Sequence, residues 1–205
     1  MIRQKFFERK DLTPEQGAFL ETVKVLMIML GNAAGAFEQN QPSAALQVAR
    51  HSDVIAETAA EELNHFFPHD TNQVRRMFAV VSLGQRVSDA LYRMCAAGAA
   101  PLEGLDDSRG FLASLCRGMA DQLDWSAKRR LLGAQRNGST EDDVELSLSE
   151  LPSSLAGEQK QERIQALLDF RDALLAAKDL FGLLDELESM SEELFPVMDE
   201  KYWKN

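Results

Sequence analysis

Apolar residues along this chain recur every three or four positions, and nowhere do they alternate with polar ones over a β-branched run bounded by turn residues. The pattern predicts an all-α protein. Its clearest stretch runs from Asp70 to Ala97, where Met77, Val80, Val81, Gly84, Val87, Ser88, Leu91 and Met94 share one face of a helix. Asp70 with Gln73 predicts a capped start, and Gly98 predicts a left-handed stop. Arg86 and Asp89 lie close to the apolar face, so both need partners.

Punctuation sets the remaining elements. Thr13-Pro14-Glu15-Gln16 combines a capping box with proline at the first helical position, predicting a helix from there to about Phe37. Asn40-Gln41-Pro42 breaks it, and a second helix is predicted from about Pro42 to Phe67, stopping before Pro68. After the Gly98 to Gly104 linker, Asp107 opens a fourth helix that ends near Asn137-Gly138. The serine-rich, acidic stretch 137–157, with Pro152, predicts a mobile loop holding at most a short helix. A long last helix from Glu158 to about Leu194 carries Ile164, Leu167, Leu168, Leu174, Leu175, Phe181, Leu184 and Leu187 at bundle spacing, and Pro196 ends it.

Long helices joined by short connections favour antiparallel neighbours. The expected architecture is therefore an antiparallel bundle of five to six helices, arranged as two packed three-helix units. The first unit is expected over 1–97 in up-down-up order, the linker over 98–106 and the second unit over 107–205.

Composition narrows what such a bundle does. The chain has 205 residues, 45% of them hydrophobic, which is enough for a real core. A formal net charge of −11 repels phosphate backbones and anionic lipid, so nucleic acid and direct membrane insertion are not expected. Val25 to Phe37 is uncharged but far shorter than the ~20 residues of a spanning helix, and reads as a buried helix centre. The basic, aromatic start MIRQKFFERKD meets the capping box rather than an apolar run, so it does not read as a signal peptide. Cys95 and Cys116, the two thiols, sit in helical apolar sequence without metal or disulfide spacing, which fits a reducing cytoplasm.

Candidate chemistry is carboxylate chemistry. Asp53, Glu57 and Glu61 recur every four residues and can line one stripe of the second helix, with His51 beside them; oxygen ligands at this period suit a divalent cation, and a polar outer face is the plainer reading. Glu62-Leu-Asn-His65 is half of a di-iron signature whose other half is missing. No phosphate-cradling glycine motif occurs, and neither cysteine has a histidine nearby in sequence, so no catalytic residue is assigned.

Residues 49–94, ARHSDVIAETAAEELNHFFPHDTNQVRRMFAVVSLGQRVSDALYRM, resemble a helical hairpin of PhoU and PhoU-like phosphate-transport accessory proteins. Asp53 and Glu57, Val74-Arg75, and Gln85-Arg86-Val87-Ser88-Asp89 correspond to that family's spaced acids, Leu-Arg pair and Glu-Arg-x-Gly-Asp motif. Gln85 stands where the motif has its glutamate. The resemblance implies a cytoplasmic, non-catalytic adaptor that docks on a phosphate transporter or its regulatory kinase. Asp53, Glu57, Glu61 and Asp89 become the candidate divalent-metal ligands, and Arg75, Arg76 and Arg86 either ion-pair partners or a docking face. Two alternatives stay open: a soluble helical domain or partner of another inner-membrane transporter, and a helical enzyme whose metal is held by Glu57, Glu61, Glu62 and Asp89. A homo-oligomer is compatible with the wide apolar face of the last helix.

Overall fold

A computed structural model describes residues 13–49, 71–100, 105, 107–132, 141–156 and 160–195. Six α-helices make up nearly all of them, and no strand occurs among the described residues: α1 (Pro14–Glu38), α2 (Pro42–Ala49), α3 (Thr71–Gly98), α4 (Ser108–Leu132), α5 (Glu141–Ala156) and α6 (Gln161–Leu194). The all-α expectation is met.

Local chemistry explains the ends of α1. Thr13 accepts the Gln16 N–H through its hydroxyl, the Gln16 side chain accepts the Thr13 N–H at 3.0 Å, and Pro14 fills the first position, where a missing N–H costs nothing. At the other end Asn40 takes φ 57°, the Gln41 N–H donates to the Ala36 carbonyl at 2.7 Å and the Asn40 N–H to that of Phe37 at 3.1 Å. This is a Schellman stop built on asparagine in place of glycine.

Two expectations, one about a helix end and one about a loop, change. Gly98 does not take a left-handed conformation; it remains helical, and the absence of a side chain serves packing instead. A Cβ there would lie 2.7 Å from Leu112 Cδ1 and 2.9 Å from Phe37 Cε1. The stretch 141–156, expected as part of a mobile loop, is the 16-residue helix α5. Val144, Leu148 and Leu151 form its inward stripe, with Val144 and Leu151 buried. Glu141, Asp142 and Asp143 place negative charge at its N-terminus, where the helix dipole favours it. Serine hydroxyls turn back onto the carbonyls of Asp143, Leu146 and Glu150, so a composition that reads as loop is compatible with a helix carrying Pro152. The cap at Asp70, the second helix beyond Ala49 and the Asn137-Gly138 stop lie outside the described residues.

Cross-bundle contacts set the topology. Arg76 approaches Glu15, and Gly98 abuts Phe37, so α1 and α3 run parallel, as an up-down-up order requires. Arg86 meets Glu186 and Arg93 meets Asp179, so α6 runs antiparallel to α3. Arg109, at the start of α4, meets Asn40 just past the end of α1, Arg117 meets Glu38, and the two helices pack extensively, so α4 runs antiparallel to α1. The four long helices thus form a square in the order α1, α3, α6, α4, with its most extensive packing along the two antiparallel edges. α2 lies on α1 and α3, and α5 on α6. Each strong edge joins a helix from the first half of the chain to one from the second, and one continuous core draws residues from all six helices. The two halves therefore share their interior.

Phe19, Phe37, Phe181, Met77, Met94 and Met119 are among the large side chains sealed inside. Of the apolar residues expected to face the core on α6, Leu175 is instead 46% exposed, because it lies beside Asp172, Lys178 and Asp179 on the outer face of its helix. The expected buried centre of α1 is buried on one side only: Ile28 is 55% exposed, and Gly31 and Asn32 are also open. By length and composition α1 is apolar enough to cross a membrane, and half of that apolar stretch is covered by its neighbours.

Candidate interaction face at the α3 N-terminus

The N-termini of α1 and α3 and the C-terminus of α6 meet at one end of the bundle. The Gln16 side chain, already part of the capping box, donates through Nε2 to the Leu194 carbonyl at 2.7 Å and so ties α1 to the last turn of α6. Phe19 and Phe195 pack edge to face with centroids 5.9 Å apart. Glu15 is only 5% exposed; its Oε1 lies 3.9 Å from Arg76 Nη1, and its Oε2 is buried with no hydrogen-bond partner among the described residues. A carboxylate with one distant cation is under-satisfied for its burial.

The three arginines proposed from sequence separate here. Arg86 forms a two-pronged bond with Glu186, at 2.8 and 3.2 Å, across the α3·α6 seam; it is a structural tie. Arg93, two turns along, crosses the same seam with a single ion-pair contact to Asp179 at 3.1 Å. Arg76 is exposed and only loosely held by Glu15. Arg75 is exposed and makes no ion pair among the described residues. Beside them Phe78 stands 57% exposed, with Ala79 and Ser82 exposed on the same face.

Sequence reasoning passed over Phe78. Its signal was present: Thr71, Arg75, Phe78, Ser82 and Arg86 follow three- and four-residue spacing along the solvated stripe, so an aromatic ring sits where a polar side chain is expected. Glu15 was read as part of the cap alone, and its burial arises only from the helices that converge on it.

Of the proposed metal ligands, Asp53, Glu57 and Glu61 lie outside the described residues, as do His51, Glu62 and His65. Asp89 is exposed on α3, with Gln85 half-buried one turn before it. Among the described residues no group of three or more His, Cys, Asp or Glu converges in a way that could hold a metal ion.

Cys95 and Cys116 are free and fully buried. Burial pushes the Cys95 thiol up to about 12, and burial, with Cys95 adding to it, carries that of Cys116 well above its usual value. Both are neutral at physiological pH and lack the thiolate character of a nucleophile. Ser88 is also sealed in the core, and its hydroxyl has no hydrogen-bond partner among the described residues.

Comparison of the chain with family models, with curated proteins and with solved structures finds no match.

Proposed function

We propose that the protein is a non-catalytic, cytoplasmic regulatory adaptor of a phosphate or related anion transport system, acting through protein contacts in the manner of the PhoU-like proteins that residues 49–94 resemble. The observation that carries this reading is the face shared by Arg75 and Phe78 on α3, with Arg76 exposed round the side of the same turn toward Glu15. Arginine and aromatic side chains are the residue types enriched where proteins dock, and here they stand exposed together on a chain of net charge −11. On so acidic a molecule this basic, aromatic patch favours a partner with an acidic, groove-bearing surface. The partner that the resemblance implies is a membrane transporter or its regulatory kinase.

The test is radiolabelled phosphate uptake in cells with the chain deleted and then restored. Uptake should lose its normal response to external phosphate on deletion. Wild-type chain should restore the response, whereas Arg75→Glu with Phe78→Ala should not, despite an unchanged circular dichroism spectrum. Uptake that responds normally without the chain would overturn the phosphate reading. Co-purification of the intact chain with a different transporter, lost in the same double variant, would assign the face to the other inner-membrane system.

A further inference from the structure

The outward face of α1 differs in kind from that of the other long helices. Between Lys24 and Glu38 it carries no charge; its central residues are Ile28, Gly31 and Gly35, with the polar Asn32 exposed at its edge. Ile28 projects into solvent, and a Cβ built on Gly31 or Gly35 would meet nothing within 4 Å. The glycines are therefore not demanded by packing within the chain, although glycine inside a helix costs stability relative to alanine. What they leave is a shallow groove beside a protruding isoleucine.

We propose that this face binds a second copy of the same chain, with the two α1 helices crossing antiparallel about a two-fold axis at Gly31. The face is complementary to itself in that register and in charge as well as shape. Lys24 lies seven residues before Gly31 and Glu38 seven after, so each lysine comes opposite the glutamate of the other copy, at both rims. Met27 lies four residues before and Gly35 four after, which sets a methionine over a glycine twice, while Ile28 enters between Gly31 and Gly35 of the second copy. Glycines at such a crossing let two helix backbones approach closely.

Lys24 and Glu38 are each exposed enough to be shared. Lys24 now bonds Glu21 at 3.3 Å, and Glu38 bonds Arg117, both at the surface. A lipid surface fits this face less well than a helix does, because a bilayer-seeking face presents several large apolar side chains flanked by basic ones, and this one presents a single isoleucine, a groove and the polar Asn32. The contact spans about 21 Å of helix at about 1.5 Å per residue. That is a small interface, so the dimer forms reversibly with concentration. This inference is independent of the adaptor reading.

Sedimentation equilibrium on the full chain tests it. A monomer–dimer equilibrium is expected. Gly31→Ala with Gly35→Ala should raise the melting temperature of the monomer, since both sites are open, and weaken the dimer about ten-fold. Lys24→Glu alone and Glu38→Lys alone should each weaken it similarly, and the two together in one chain should restore it, a rescue that only the antiparallel register explains. Gly31→Cys, on the axis, should give a disulfide-linked dimer under mild oxidation, whereas Gly17→Cys should not. A chain that stays monomeric at millimolar concentration overturns the proposal, as does a dimer indifferent to these substitutions. Flotation of the monomer with neutral phosphatidylcholine vesicles, lost in Ile28→Glu, would overturn it in favour of lipid.

Discussion

At one end of the bundle the C-termini of α1 and α3 and the N-terminus of α4 close on one another so tightly that Gly98 has no room for a methyl group against Leu112 and Phe37. Asn40 caps α1 there and accepts a hydrogen bond from Arg109, while Arg117 bonds Glu38 above the apolar layer. At the other end, where α1 and α3 begin and α6 finishes, Glu15 is buried with one oxygen unpartnered among the described residues, Arg75 and Arg76 face solvent, and Phe78 is left out of the core. The first end is closely packed and tied by these bonds, although Arg109 Nε is buried there with no hydrogen-bond partner among the described residues. The second holds groups that are under-satisfied within the chain, and such groups are what a binding partner can satisfy. Stability and availability for contact are thus separated by about the length of the bundle.

That separation can be broken by substitutions ranked by effect. Phe37→Ala, at the closed end, should cost about 3–5 kcal/mol, because a fully buried ring leaves a cavity that three converging helices fill poorly; urea unfolding with an unchanged slope measures it. Alkaline pH attacks the same end. The unfolded thiols ionise near pH 9, whereas in the folded protein Cys95 stays protonated to about 12 and Cys116 beyond its usual range. The stability gained from burying neutral thiols is therefore complete below about pH 9 and is lost as pH rises toward about 12. The slope should be about 1.4 kcal/mol per pH unit for each thiol. In Cys95→Ala with Cys116→Ala the fall in unfolding midpoint between those pH values should flatten.

Gly98→Ala should destabilise by about 1–3 kcal/mol, since the Leu112 and Phe37 atoms it meets are themselves enclosed. In a chain of this size that lowers the melting temperature by roughly 2–4 °C per kcal/mol. At the open end the costs shrink. Thr13→Ala removes the cap of α1 and should cost about 1 kcal/mol, read as a lower melting temperature with unchanged helical content. Phe78→Ala should change stability by no more than about 0.5 kcal/mol while removing partner binding. A Phe78→Ala loss comparable to that of Phe37→Ala would erase the distinction between the ends.

Much of the fold is legible in local pattern. The capping box at Thr13 to Gln16, the break at Asn40 to Pro42 and the apolar face of α3 all act within one or two turns, and the structure reproduces them. The misreadings are also local in origin. The serines and proline of 141–156 outweigh the Val144, Leu148 and Leu151 stripe in composition, but not in the folded chain, where α6 covers that stripe. The leucines of α6 are too numerous for spacing alone to separate Leu175, which faces out, from Leu174, which faces in. At the candidate interaction face, Arg75, Arg76 and Arg86 were visible as residues, while their different situations were not.

By itself the sequence determined that this protein is all-helical and where its first and third helices begin and end among the described residues. Only the tertiary structure decided that α1 pairs with α4 and α3 with α6, that Arg86 is spent on Glu186 while Arg75 is not, and that α1 turns an uncharged face to solvent. The physical reason is range. Caps and helical periodicity are interactions among residues a few positions apart, whereas Arg86 and Glu186, or Gly98 and Phe37, meet only after the chain has turned back on itself, and no short window of sequence contains both partners.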